Sequence, residues 1–103
     1  MLAFGTLTTT ASASFHRGSS GFITSVKTIK LINYSTNDVV ATIEYTNGTT
    51  TRMYDRYLLL SGDALEISPS YPIEYSGTTQ GLNIWADIAS SVNCFLQGVN
   101  RAV

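Results

Sequence analysis

The most regular pattern in the chain lies between residues 39 and 57, where apolar and polar positions alternate. One parity holds four largely apolar residues: Val39, Ala41, Ile43 and Tyr45. A period of two is typical of a β-strand, whose successive side chains point to opposite faces. Asn47-Gly48 follows, and we expect it to form a type I′ turn, which needs positive φ at both positions. Because a Thr-rich strand then returns, the segment predicts a β-hairpin with one buried face.

A second β-rich stretch, at residues 22–33, alternates less regularly. Ile29 and Leu31 share one parity, whereas Val26 and Ile32 take the other. Such a mixture predicts either a bulge in the strand or burial on both of its faces.

The remainder of the chain also predicts short strands separated by turns. Three later stretches are predicted strands: residues 64–68, 81–88 and 91–99. Gly62-Asp63 predicts a turn in which the Asp63 carboxylate accepts backbone N–H groups, and Pro69 and Pro72 predict a loop or an edge position. About seven or eight strands at this spacing indicate an all-β fold, an antiparallel β-sandwich related to the jelly roll.

Residues 1–20 are rich in Ser, Thr and Ala and predict an extended N-terminal arm ahead of one sandwich domain at residues 21–103. An arm of this composition cannot bury itself, so we expect it to be mobile unless its own sheet or a neighbouring molecule holds it. Its apolar side chains, Phe4, Leu7 and Phe15, are candidate contacts with a neighbour.

Composition narrows the range of partners. Only 13% of the 103 residues are charged, and the net charge is −1. The scattered Lys and Arg residues form no basic patch, so we expect no nucleic-acid partner. No apolar run reaches the roughly 20 residues that span a bilayer, so we expect no membrane partner. A surface of uncharged hydroxyl groups is cheaper to desolvate than one of Lys and Glu, which favours docking against protein.

The sequence offers little catalytic chemistry. The single His16 lies in the arm, while the single Cys94 lies in an apolar stretch and is expected to be buried. The acidic residues are spread singly, and neither zinc-ligand spacing nor a phosphate-binding glycine loop occurs. We therefore expect no enzyme activity, no metal site and no cofactor.

Aromatic residues are the remaining candidates for recognition. Trp85 has outward parity in its predicted strand, and Tyr54 and Tyr57 follow the hairpin turn. Exposed Trp and Tyr side chains anchor protein interfaces or stack on sugar rings. A sandwich with two covered faces would instead bury Trp85, so three alternatives stay open for it: core, protein interface or glycan platform.

The order of these elements resembles that of small β-sandwich virion proteins of tailed bacteriophages. The resemblance covers residues 21–99 and rests on "VKTIKLINYSTNDVVATIEYTNG", "RYLLLSGDALEI" and "PIEYSGTTQGLNIWADIASSVNCFLQGV". In such proteins a first strand ends in an Asn-rich turn, and a hairpin precedes a Gly-Asp-x-Leu element. This chain departs from the pattern before Leu82, where "EYSGTTQG" replaces a second Gly-Asp turn.

The resemblance implies a non-enzymatic virion component that assembles in the host cytoplasm. Its most direct form is a capsid decoration (cement) protein bound to the outer particle surface, and the alternative is a neck or tail accessory protein. The expected partners are copies of itself, most simply in a trimer, and the major capsid protein. The arm would then add a strand to an adjacent subunit. A carbohydrate-binding module that uses Trp85 and the tyrosines is the alternative from another class.

Overall fold

The computed structural model describes all 103 residues and contains nine β-strands in two antiparallel sheets, with no helix. The strands are β1 (Ala3–Thr6), β2 (Ser14–Arg17), β3 (Phe22–Asn33), β4 (Val39–Thr46), β5 (Thr51–Leu59), β6 (Ala64–Ile67), β7 (Ile73–Ser76), β8 (Gly81–Ala86) and β9 (Val92–Ala102). The predicted all-β, antiparallel sandwich class is confirmed, with slightly more strands than expected. No helix suited to crossing a membrane is present.

The two sheets differ in size. The five-stranded sheet, named sheet A, has the order β1-β9-β3-β6, and β7 also pairs with β3. The four-stranded sheet, named sheet B, has the order β2-β8-β4-β5. Strand β3 is long enough for β6 to pair along Ile29–Ile32 and β7 along Ile23–Val26. Pro69 and Pro72 lie between these two short strands, as predicted.

Strand β3 also contains the predicted irregularity. Its register with β9 shifts between Val26 and Thr28. Lys27 is the extra residue, and such a bulge reverses which residues face inward on either side of it. The bulge therefore explains why Val26 is buried although its parity differs from that of Ile29 and Leu31, whereas Ile32 lies on the outer face.

The β4–β5 hairpin forms, but its turn differs from the prediction. Thr46 lies opposite Thr51, so the connection has four residues instead of two. Gly48 has a φ of +97°, whereas Asn47 is not in the left-handed region. The Asn47 Oδ1 atom accepts the backbone N–H groups of Thr49 and Thr50 at 2.9 and 2.8 Å. This side-chain turn removes the need for positive φ at Asn47, so the type I′ prediction is wrong.

The N-terminal segment lies on its own sandwich. Strand β1 extends sheet A beside β9, and β2 extends sheet B beside β8. Leu7, which follows β1, is only 3% exposed and belongs to the core. Its backbone N–H donates to the Val92 carbonyl oxygen, and its carbonyl oxygen accepts from Ser90 N–H. Of the two expected ways of holding the arm, the structure has the intramolecular one.

The core lies between the inner faces of the two sheets. Its sixteen buried residues are mostly branched aliphatics contributed by both sheets, such as Ile29 of sheet A and Ile43 of sheet B. Cys94 is fully buried among them, as predicted, and burial raises the pKa of its thiol to about 12. The thiol is therefore a packing group at neutral pH.

A buried asparagine joins two turns at one end of the sandwich. The Asn33 side chain is fully buried, and its Nδ2 donates to the carbonyl oxygens of Asn37, Leu59 and Leu60 at 2.7, 3.0 and 3.3 Å. Its Oδ1 accepts the Ser35 N–H at 3.0 Å. One side chain thus ties the β3–β4 turn to the β5–β6 turn.

The β5–β6 turn corrects one prediction about Asp63. Gly62 has a φ of 80° and occupies the turn as expected. The carboxylate that accepts a backbone N–H there belongs to Asp38, which bonds Ser61 N at 3.1 Å. Asp63 contributes its backbone instead, since its carbonyl oxygen accepts from Asn33 N–H. The prediction for the Asp63 carboxylate is therefore wrong, because a neighbouring turn supplies the acceptor.

Replacing Asn33 with alanine should destabilise the fold strongly. The substitution leaves buried carbonyl oxygens without donors, which costs about 2–4 kcal/mol. Urea unfolding followed by Trp85 fluorescence measures the change. Asn37→Ala is the control, because the Asn37 side chain is exposed and its backbone carbonyl oxygen still accepts from Asn33 after the substitution; it should change stability by less than about 0.5 kcal/mol. Equal effects of the two substitutions would contradict the role of Asn33.

Candidate functional site

The outer face of sheet A carries a row of cross-strand partners that runs from an apolar end to a charged end. Phe4 lies opposite Phe95, Phe95 opposite Lys30, and Lys30 opposite Glu66. Phe4 is 71% exposed, and its ring stacks on Phe95 with centroids 6.3 Å apart. We call these four residues the Phe4 row.

The alternation of the strands explains why the row faces outward. Cys94 and Leu96, the neighbours of Phe95 on β9, are both fully buried in the core. Phe95 must therefore point to the opposite face. A shallow depression of about 430 Å³ lies over this face, and Thr28, Lys30, Ile32, Glu66, Phe95 and Gln97 line it. The depression gives a partner an apolar floor beside one charge of each sign.

The outer face of sheet B differs chemically on β2, β8 and β4, where a chain of hydrogen bonds links the polar side chains. The Arg17 guanidinium donates to Asn83 Oδ1 at 2.7 Å, and Asn83 Nδ2 donates to Ser12 Oγ at 3.1 Å. Ser12 Oγ donates to Glu44 Oε1, which also accepts the Trp85 indole N–H at 3.3 Å. Trp85 is half-buried on this face with its polar edge already bonded. Its outward parity is as predicted, and it lies outside the core.

The predicted interface residues are divided between the surface and the core. Phe4 is exposed, and Tyr54 is 42% exposed. Leu7 is buried in the core, and Phe15 and Tyr57 pack against that core. Those three side chains pack within this chain's own sandwich, so their assignment to a partner interface is corrected. Phe15 and Tyr57 face inward because of the register of their strands, and the sequence alone does not show which strands pair.

A groove lies between β5 and the loop that joins β6 to β7. Its volume is about 630 Å³, and three tyrosines line it: Tyr45, Tyr54 and Tyr71. Arg52, Met53, Pro69 and Pro72 also contribute to its walls. We call it the tyrosine groove. Trp85 lies elsewhere, on sheet B, so the structure does not unite it with these tyrosines.

The single histidine contributes to the packing of the two sheets. His16 on β2 lies within hydrogen-bond distance of Tyr75 on β7, with 2.5 Å between Nδ1 and the hydroxyl oxygen. Burial, followed by the nearby Arg17 charge, lowers the pKa of His16. Burial also raises the pKa of Tyr75, so at neutral pH a protonated hydroxyl is hydrogen-bonded to a neutral imidazole. This bond links sheet B to sheet A.

Two other ionisable side chains have shifted pKa values. A hydrogen bond from Ser25, followed by one from Arg101, lowers the pKa of Glu74 on the surface. Burial, together with the neighbouring Asp55 carboxylate, raises the pKa of Tyr57 to about 12. Both shifts arise from structural contacts, and neither creates a reactive group near neutral pH.

Comparison with known proteins does not assign a role to these surfaces. No family model and no curated protein sequence matches the chain. Within the chain, no three His, Cys, Asp or Glu side chains lie together as metal ligands. The Phe4 row, the hydrogen-bonded side chains of sheet B and the tyrosine groove are the candidate functional surfaces.

The His16–Tyr75 contact predicts a loss of stability in acid. An unfolded histidine has a pKa near 6.5, whereas the folded His16 has a lower one. Below about pH 6.5 the unfolded chain binds the proton more readily, so stability falls as pH falls through this window. The melting temperature should be lower at about pH 5 than at about pH 7.5.

His16→Gln is the matched variant, since the chain has no other histidine. Its melting temperature should change much less between the same two pH values. Glu74 changes stability with pH only below its ordinary pKa. Because its pKa in the folded chain is lowered, its stabilising contribution is complete at higher pH and is lost as pH falls. An undiminished pH dependence in His16→Gln would refute the assignment to His16.

Proposed function

We propose that the protein is a non-enzymatic structural component of a bacteriophage virion, a decoration protein that binds the outer capsid surface through sheet A. The sequence resemblance over residues 21–99 supports the virion context. The single observation that supports the docking face is the exposure of Phe4, with 71% of its surface open to solvent at the end of the Phe4 row.

The Phe4 row has the properties of an interface anchor. A large aromatic side chain contributes much apolar area at low entropic cost, and such residues dominate binding energy when a partner covers them. Strand pairing with β9 and stacking on Phe95 hold Phe4 in place before binding. This preorganisation reduces the ordering cost that a flexible arm would incur.

The charged end of the row favours a defined orientation. Lys30 and Glu66 lie opposite each other on β3 and β6, and both are exposed. A partner with one acidic and one basic group at matching positions would be oriented by this pair. Because the two charges cancel, they do not attract charged proteins in general. An orienting pair beside an apolar anchor suits a partner of fixed structure such as a capsid lattice.

Low charge and repetition support the same proposal. With charged residues at 13% of the chain, little charge has to be desolvated on docking. A contact of about 800 Å² per partner is of standard size. Many copies on one particle, whether monomers or trimers, would add modest contacts through multivalency. The tight binding of each single copy is then unnecessary.

The position of the N-terminal segment changes how the proposal is tested. Deletion of residues 1–20 would remove β1, β2 and the core residue Leu7. The shortened chain would lose core packing along with any docking surface, so its failure to assemble would not identify an interface. A point substitution at Phe4 separates the two effects, because the side chain is exposed.

Phe4→Ser should weaken binding to particles that lack the protein by about tenfold or more. Its unfolding free energy should fall by no more than about 1.5 kcal/mol, the contribution of an aromatic pair such as Phe4 and Phe95. Co-sedimentation with purified particles measures the binding. Leu58→Ser is the control, because Leu58 is 65% exposed but lies on the outer face of sheet B. Equal losses in both variants would contradict the choice of face.

Gold-labelled antibodies on purified virions test the location. Gold spread evenly over the head is the expected result for a decoration protein. Gold confined to the neck or tail would replace the capsid assignment with the accessory-protein alternative. The absence of gold would contradict the virion proposal as a whole.

A further inference from the structure

The tyrosine groove has the dimensions and walls of a small-ligand site. Its volume of about 630 Å³ lies within the range of ligand pockets. Three aromatic rings line it, and Tyr71 is 86% exposed. Aromatic rings that stay open to solvent are available to stack on a flat ligand.

The tyrosine hydroxyls of the groove are free, unlike the polar groups of Tyr34, Tyr75 and Trp85. The Tyr34 hydroxyl donates to the Ser90 carbonyl oxygen, Tyr75 bonds His16, and Trp85 bonds Glu44. The hydroxyls of Tyr45, Tyr54 and Tyr71 make no hydrogen bond within the chain. Three unengaged hydroxyls around one groove suit a ligand that is rich in hydroxyl groups.

Charge narrows the class of ligand. Arg52 is the one charged residue that lines the groove. The chain's one ion pair joins Arg101 to Glu74, so Arg52 has no carboxylate partner. A planar guanidinium with no partner matches a carboxylate on the ligand, which it can bind through two parallel hydrogen bonds.

We propose that the tyrosine groove binds an acidic oligosaccharide, with a sugar ring stacked on Tyr71 or Tyr54 and a uronate carboxylate paired with Arg52. This binding activity goes beyond the proposed capsid docking and uses none of the residues of the Phe4 row. Stacking on aromatic faces supplies apolar contact, and the free hydroxyls accept and donate hydrogen bonds at the ring edges.

Local structure holds the groove residues in place. Tyr71 lies between Pro69 and Pro72, whose fixed φ angles restrict the loop. Tyr54 is the extra residue of a bulge, where the register of β4 and β5 shifts between Ile43 and Glu44. Bulges redirect a side chain out of the regular alternation. The groove is therefore formed before a ligand arrives.

Titration of the full chain with hexagalacturonate, followed by amide NMR shifts and calorimetry, tests the site. Maltohexaose serves as the neutral sugar. We expect hexagalacturonate to bind with a dissociation constant on the order of 0.1–1 mM, and maltohexaose at least about tenfold more weakly. The shifted amides should belong to β5 and to residues 69–73.

Two substitutions and two controls locate the binding. Tyr71→Ala and Arg52→Gln should each weaken hexagalacturonate binding about tenfold or more. Tyr34→Ala and Arg56→Gln are the controls. They make the same two types of substitution at exposed residues outside the groove. All four sites are exposed, and unchanged NMR spectra away from each substitution verify the fold.

Three results would overturn the proposal. These are no binding of hexagalacturonate at about 10 mM, equal binding of both sugars with no effect of Arg52→Gln, or equal losses in the groove and control variants. Each leaves the capsid proposal untouched, because the particle-binding test depends on Phe4.

Discussion

The N-terminal segment contributes a strand to each of the two sheets, and the outer surfaces of the molecule depend on that arrangement. The segment adds β1 to sheet A and β2 to sheet B, while Leu7 lies between the sheets in the core. Strand β2 can approach β8 closely because Gly81 has no side chain; a Cβ there would clash with the His16 carbonyl oxygen. His16 then reaches Tyr75 on the opposite sheet.

Because β1 and β2 cover one edge of each sheet, the same segment also protects strands that would otherwise be open to aggregation.

This arrangement gives each surface its own chemistry. On sheet A, β1 places Phe4 over Phe95, so the outer face has an apolar end that intramolecular packing leaves open. On β2, β8 and β4 of sheet B, the polar side chains bond one another, and the Trp85 indole donates to Glu44. A face whose polar groups are already paired gains less from a new partner than a face with an uncovered aromatic ring. The physical difference between the two faces, more than the resemblance to virion proteins, favours sheet A for docking.

The sequence was informative where alternation or proline dominates and uninformative where long-range pairing decides. Strand β3 was predicted with its observed bounds at residues 22–33, and Pro69 and Pro72 lie outside strands as expected.

Strands β1 and β2 could not be predicted, since their composition alone gives no stable strand and pairing with β9 and β8 holds them. Phe4 was a predicted contact with a neighbouring molecule, and the structure leaves it exposed. Phe95, its stacking partner, was missed because it lies in a mostly apolar stretch whose register only the β9 pairings define. The tyrosine groove combines residues from β4, β5 and the β6–β7 loop, a proximity that no local pattern contains.

Strand order places the two proposed surfaces so that both can act in one molecule. Phe4 lies on β1, at one edge of sheet A, whereas the groove loop joins β6 to β7 beyond β3, on the other side of that sheet. The groove's other wall comes from β5, the edge strand of sheet B farthest from β2. The Phe4 row crosses sheet A as far as Glu66 on β6, but none of its four residues lines the groove. The proposed docking and the proposed sugar binding therefore need no shared residue, so each can be lost without the other.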